Sequence, residues 1–211
     1  MRAITKGAEP RSLMEHRAGA HCDYDNYQDK EELRQALVAE QRGLCCYCMG
    51  RIRRDRNGMK IEHWRCRSAN GDQELVYRNL LGACLGGQGQ AGSKQHCDTC
   101  KEDRDLKWNP SDPAHRIEDR LEYELDGTIR ALDDEFNTQL NEVLNLNMAW
   151  LKNNRKGVLT AVLDWWRMCR RPVSPARIER EIQKRTDGAT GLPPYCQVAV
   201  WWLRMKLAGM V

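Results

Sequence analysis

Thiols at knuckle spacing bracket a carboxylate–imidazole pair in this chain. Cys45 and Cys48 are separated by two residues, the spacing at which one tight turn can offer two sulfurs to a tetrahedral zinc ion. A second pair of sulfurs is offered in two ways. Cys97 and Cys100 repeat the two-residue spacing, whereas Cys84 and Cys97 flank a glycine-rich loop. Spacing leaves both open, and Cys46 and Cys66 are spare on either. Inside the bracket stand Glu62-His63 and Asn79, and Asp98 follows Cys97. Phosphodiester hydrolysis needs a water deprotonated near neutral pH and a cation for the charge developing on the phosphate and the leaving oxygen. Histidine is the natural base, because its pKa lies near neutrality. Ionised Asp98 offers only acceptor oxygens, which suit Mg²⁺ or Mn²⁺, and Glu62 at a strand end can approach the same ion. Asn79 can orient the imidazole through a side-chain hydrogen bond. Singly, these residues have plain structural readings: a core histidine, a turn asparagine, an aspartate N-cap. The inference rests on the ordered set.

The elements that must position them are legible from periodicity. Met59-Lys60-Ile61-Glu62-His63-Trp64 alternates as a strand, with Met59, Ile61 and His63 on one face and Lys60, Glu62 and Trp64 on the other. Asn57-Gly58 predicts a hairpin turn before it. A helix is predicted over 29–42, with Asp29-Lys30-Glu31-Glu32 as a capping box, Leu33, Ala36 and Leu37 as its apolar stripe, and Gly43 as its stop. It delivers the chain into the Cys45–Cys48 knuckle. A short apolar piece at 75–84 carries Asn79, a flexible loop spans Gly86 to Gly92, and a short helix runs from near Cys97 to before Asn109-Pro110. Leu121, Tyr123 and Leu125, with Asp126-Gly127 and Ile129, predict a second hairpin over 120–132. From about 134 the pattern is helical, broken at Pro172 and Pro175; a helix at 175–186, a linker from Gly188 to Pro194 and a last helix from Tyr195 to Leu207 follow. The expected fold class is α+β, with 1–132 as the catalytic domain and 133–211 as a helical region that docks a partner. Trp150, Trp165, Trp166, Trp201 and Trp202 fall in that region. They read as core, but adjacent helical residues point about 100° apart, so one of each adjacent pair is a candidate interface residue.

With 211 residues, 30% charged and 41% hydrophobic, the chain reads as a soluble globular protein, expected in the cytoplasm, with no membrane partner. Ten cysteines in a reducing compartment favour metal over disulfides. Cys22, Cys169 and Cys196 stand apart from the clusters and read as packing residues. Net charge is only +4, yet Arg51, Arg53, Arg54 and Arg56 fall within six residues. These arginines, with Lys60 and Lys101, are the candidate phosphate contacts; Arg170-Arg171 forms a smaller basic cluster. Gly87-Gln88-Gly89-Gln90-Ala91-Gly92-Ser93-Lys94 resembles a P-loop, but Ser and Lys are in reversed order and no buried strand precedes it, so no nucleotide site is expected there.

The whole arrangement resembles the HNH nucleases of the ββα-metal type, and among them the PtuB-like proteins of Septu and retron anti-phage systems. The matching pieces are Met1-Arg2-Ala3-Ile4, Lys6-Gly7-Ala8-Glu9-Pro10, Gly43-Leu44-Cys45-Cys46-Tyr47-Cys48-Met49, Met59-Lys60-Ile61-Glu62-His63-Trp64, Asn79-Leu80-Leu81-Gly82-Ala83-Cys84, His96-Cys97-Asp98 and Asn109-Pro110-Ser111-Asp112-Pro113. The likeness covers about residues 1–165. It implies a ββα core at about 43–110 with structural zinc on Cys45, Cys48, Cys84 and Cys97, leaving Cys100 free. It implies His63 as general base, Asn79 orienting it, and Glu62 and Asp98 holding a catalytic Mg²⁺ or Mn²⁺, with His96 as a further ligand or phosphate contact. The family's lysine–glycine after this motif stands here as Lys101-Glu102. The resemblance also implies a toxic effector that cuts nucleic acid, DNA in the first reading and tRNA in the second, beside a PtuA-like ABC/SMC-type ATPase. In retrons a reverse transcriptase and its multicopy single-stranded DNA restrain such an effector. The reading from another class is a non-catalytic zinc-ribbon module.

Overall fold

Strand β1 (Lys60–His63) forms its ladder with β2 (Leu80–Ala83), antiparallel, with Lys60 opposite Ala83 and His63 opposite Leu80. The computed structural model describes residues 1–169, 172–188 and 191–209, so Arg170-Arg171 lies outside the described residues. The Asn57-Gly58 turn does not join two paired strands as expected. Asp55 accepts from Asn57 N at 3.0 Å through its side chain and from Gly58 N at 2.9 Å through its carbonyl, and this local turn is closed before β1 begins. The paired strand arrives sixteen residues after β1, once the chain has wound through short 3₁₀ turns.

Two helices precede the knuckle, α1 (Arg11–Arg17) and α2 (Glu31–Glu40). Leu33 and Leu37 are fully buried on the predicted stripe of α2, and Gly43 takes φ +75° just beyond its end. The expected capping box is not formed. Glu32 instead accepts from Arg11 N at 3.2 Å and Ser12 N at 2.8 Å, so a carboxylate of α2 caps α1. Lys6 joins α2 to β2, donating to Glu40 at 2.5 Å and to the Leu80 carbonyl at 2.8 Å.

Helix α3 is a single turn, Asp98–Lys101, shorter than expected because Glu102 takes φ 51° and ends it. The second hairpin forms as predicted from β3 (Leu121–Tyr123) and β4 (Ile129–Ala131). Leu121, Tyr123 and Ile129 are buried, while Leu125 lies beyond the ladder in solvent. The helical pattern from 134 is not continuous. It divides into α4 (Asp134–Thr138), a π turn over Gln139–Val143 and, after Asn145 at φ 48°, the long α5 (Ala149–Met168). Arg155 of α5 is buried and fixes this break, donating to the carbonyls of Gly127 and Leu146 and to Asn147 Oδ1. Helices α6 (Pro175–Thr186) and α7 (Cys196–Ala208) complete the chain.

One contiguous buried cluster runs from Met1 to Leu203. Helix α7 packs on α5, α6 and β3 and buries Val198, Ala199, Val200, Trp202 and Leu203. Just before α7, Leu192 N donates to Arg42 O and Tyr195 N to Met49 O, each at 3.0 Å, which ties the helical part to the knuckle. The adjacent tryptophans pack inward: Trp166 meets Trp202 edge-on at 5.4 Å, and Trp201 meets Tyr123 at 5.6 Å. The exposed indole is Trp150, at 56%. Cys169 and Cys196 are buried, and Cys22 is half-buried. Among the described residues no helix is long and apolar enough to cross a membrane.

Candidate functional site

The knuckle is closed by backbone. Cys45 N donates to Gly50 O at 2.8 Å, Met49 takes φ 64°, and Gly50 N reaches Cys48 Sγ at 3.3 Å. Cys84 follows β2 and Cys97 immediately precedes α3. The structure brings Cys45, Cys48, Cys84 and Cys97 together, their sulfurs all within 4.8 Å of one another. Cys45–Cys97 is 3.9 Å and Cys48–Cys84 is 3.7 Å. Sulfurs placed tetrahedrally around one zinc at the usual bond length stand about 3.8 Å apart, so the donor set fits zinc in number, softness and separation. Cys100 is not in the cluster; its sulfur lies 3.9 Å from the Arg104 guanidinium. His96 joins the thiols instead of the carboxylates, contrary to its expected role. Its Nδ1 lies 3.1 Å from Cys97 Sγ, so the imidazole orients a sulfur.

On the other side of the knuckle, Tyr47 donates its hydroxyl to Glu62 Oε1 at 2.7 Å, and Lys101 Nζ lies 3.0 Å from the same oxygen. Glu62 is 2% exposed. Burial, and then the neighbouring Asp98 carboxyl, push its carboxyl well up. Burial works in the same sense on Asp98, but the hydrogen bond with Glu62 and the Lys60 ammonium at 2.9 Å outweigh it and hold Asp98 below the usual range. Two carboxyls in contact ionise together only when cations flank them. Lys60 and Lys101 are such cations here, and the paired oxygens suit a hard divalent ion equally well. Both lysines are thereby committed within the site: Lys101 is 0% exposed and does not reach a phosphate at the surface, and Lys60 also donates to Thr99 Oγ1 at 2.9 Å. This corrects the assignment of Lys101 as a phosphate contact, while Lys60 keeps part of its side chain exposed. Arg51, Arg53, Arg54 and Arg56 are exposed as expected.

His63 ends β1 at 8% exposure. Its Nε2 lies 3.0 Å from the Glu74 carbonyl, which can only accept, so Nε2 carries the proton and Nδ1 is the basic atom. Tyr24 closes the ring from the side, edge-on at 4.5 Å. Asn79 does not touch the imidazole, contrary to expectation. Its Oδ1 accepts from Arg65 N at 2.7 Å, and its Nδ2 donates to the carbonyls of Arg65 and Gln73 at 3.0 and 3.1 Å. Asn79 therefore pins the loop that presents the Glu74 carbonyl, and acts on His63 at one remove. Tyr47, Tyr24 and Glu74 carry no signal in their spacing that would have singled them out. Glu102 holds a backbone conformation, φ 51° and ψ −127°, that a glycine would take at less cost, so the turn after the site keeps its shape without the glycine.

Burial lowers the His63 pKa to about 4, against a weaker opposing effect of the Glu74 carbonyl. The folded state thus binds fewer protons at His63 than the unfolded chain between about pH 4 and 6.5. Its stabilising share is complete above the unfolded value and is lost as pH falls through that window. The wild type is expected to lose about 3 kcal/mol relative to His63→Gln between pH 6.5 and 4. Urea unfolding of both proteins at a series of pH values measures it, and parallel pH profiles would refute it.

No protein-family model matches the chain. The chain is similar to an Escherichia coli protein named as a candidate HNH endonuclease of retron Ec83, with 26% identity over 205 residues, covering 75% of this chain and 79% of that protein.

Proposed function

We propose that the protein is a metal-dependent HNH endonuclease that hydrolyses phosphodiester bonds of nucleic acid. The carrying observation is His63 at the end of β1, with its proton fixed on Nε2 by Glu74 and a basic Nδ1, on the same strand as the Glu62 that meets Asp98. The order β1, β2, α3, with Asp98 opening the helix, supports a ββα-metal core, and the four clustered thiols support structural zinc. His63 Nδ1 takes the proton from the attacking water, and Tyr47 and Lys101 keep Glu62 turned toward Asp98. A Mg²⁺ or Mn²⁺ ion held by Glu62 and Asp98 would stabilise charge on the phosphate and the leaving oxygen.

The likeness to a retron protein supports a retron context; in this proposal the protein is a toxic effector that acts with a PtuA-like ATPase and is held in check by a reverse transcriptase and its DNA. The helical part after residue 133 is proposed to dock the ATPase. Since α7 is buried mainly up to Leu203, the surface open to it is the outer faces of α5 and α6 and the exposed last turn of α7 at Arg204, Met205 and Lys206.

The test is cleavage of supercoiled plasmid and of total tRNA by the purified protein, alone and with its ATPase, with and without Mg²⁺ or Mn²⁺. Metal-dependent cutting is expected, with the plasmid preferred; tRNA cutting alone would move the substrate to RNA. His63→Ala is expected to lower the rate at least about a hundred-fold with its thermal melt retained. Undiminished cutting by that variant would exclude this site.

A further inference from the structure

A cavity of about 1030 Å³ opens on the far side of the thiol cluster and is lined by none of Glu62, His63 and Asp98. It lies within the loop Gly86–Gln95, the start of α5 and the turn before α7. Of the lining residues none is acidic, although the chain holds 30 Asp and Glu. Two are exposed cations, Arg51 and Lys94, and among the described residues neither has a carboxylate within ion-pair distance. One is Trp150, whose indole is 56% exposed, an unusual placement for so large an apolar ring.

The walls are fixed before any ligand arrives. Asn145 Nδ2 donates to Ser93 O and Gln95 O at 3.3 and 2.8 Å, which ties the loop to the turn before α5. Gly86 and Gly87 close the loop at φ 57° and 72°, where a Cβ would stand 2.1 Å from His96 O and 2.5 Å from Lys94 O. His96 is 6% exposed and stands 6.1 Å from Trp150 with the rings inclined at 33°. Its Nδ1 faces the Cys97 sulfur, and Nε2 is left without a protein partner among the described residues. With the Nδ1 proton directed at sulfur, Nε2 is an acceptor beside the indole.

We propose that this cleft binds one unstacked nucleotide, its base against Trp150 and within reach of His96 Nε2, its phosphate at Arg51 and Lys94. Stacking on an exposed indole suits every base, and two unpaired cations suit a phosphate. The sulfurs of Cys48 and Cys84 lie in the cavity wall and repel an anion there, so the phosphate belongs at the exposed rim with the cations. The binding mode owes nothing to a P-loop: the buried β2 does precede this loop, contrary to expectation, but the helix after it, α3, is one turn that begins at Asp98 outside the cleft, and the side chains come from three separate segments. The nucleotide is either free or the unpaired end of a strand.

The experiment uses the full zinc-loaded chain with no Mg²⁺ or Mn²⁺ added, so that strands stay intact. ATP and GMP are titrated by calorimetry, and short fluorescein-labelled single-stranded DNA and RNA by polarisation. Binding of at least one probe is expected, with Trp150→Ala weakening it about ten-fold or more at an unchanged thermal melt. Arg51→Glu with Lys94→Glu is expected to weaken it further. Binding of ATP or GMP identifies a free nucleotide as the ligand; binding of the strands alone identifies an unpaired end. His63→Ala should bind as the wild type does, which separates this cleft from the nuclease reading. Absence of binding by every probe, or binding that is unchanged in Trp150→Ala or abolished in His63→Ala, would overturn the proposal.

Discussion

Replacing Cys97 by Ser is expected to leave the chain without a cooperative fold. The four sulfurs join three separate pieces of backbone: the knuckle of Cys45 and Cys48, Cys84 after β2, and Cys97 ahead of α3. Three of the four cysteines are buried, and burial pushes the Cys97 thiol well up, as do the neighbouring thiols. Contacts with the neighbouring thiols hold Cys45 and Cys48 down instead, and all four sulfurs ionise together only around a cation. Structural zinc contributes about 10–16 kcal/mol in small zinc domains, comparable with the whole stability of an ordinary domain, about 5–15 kcal/mol. Serine keeps the volume but offers a hard, protonated oxygen. Elemental analysis should find one zinc per wild-type chain and less in the variant, whose circular-dichroism melt should be broad and low. Cys100→Ser is the internal control: it lies outside the cluster beside Arg104 and is expected to change stability by about 0.5 kcal/mol or less. A wild-type melt in Cys97→Ser, or collapse in Cys100→Ser, would refute this assignment of the sulfurs.

What the sequence made legible follows from local periodicity. Leu33 and Leu37 mark α2, the alternation around Ile61 marks β1, and Asp126-Gly127 marks the second hairpin, because each signal acts between near neighbours. The zinc pairing is different: spacing leaves Cys84 and Cys100 both open as ligands, and the resemblance favours Cys84, whose sulfur the structure places beside that of Cys48. Most of what local pattern conceals is long-range. Glu32 caps a helix other than its own because α1 packs against α2. Asn79 holds the loop while Glu74 holds the histidine, a division that depends on the path of residues 64–79. Lys101 reads as a surface cation by type, and only the fold shows that its ammonium is enclosed against Glu62.

Lys101→Met is expected to destabilise the protein by about 3–5 kcal/mol, the cost of leaving a buried charge without its partner. The Lys101 ammonium lies 3.0 Å from Glu62 Oε1 and 3.3 Å from the His63 carbonyl, and both side chains of the pair are almost wholly enclosed. Without it, Glu62 keeps the Tyr47 hydroxyl and faces Asp98 with only Lys60 to offset the second charge. Glu62→Gln removes the opposite partner and leaves a buried ammonium, so it is expected to cost a similar amount. Because each single change leaves the other partner's charge unpaired and the double variant leaves neither, the double variant should be more stable than the sum of the two predicts, by at least about 1 kcal/mol. Urea unfolding of the four proteins closes this cycle, and strict additivity would show that the pair is not coupled. Added Mg²⁺ supplies the discriminating readout. If Glu62 and Asp98 accept a divalent ion, that ion takes over the neutralisation Lys101 performs. Mg²⁺ should then raise the melting temperature of Lys101→Met more than that of the wild type, and should do nothing for a variant that also carries Asp98→Asn.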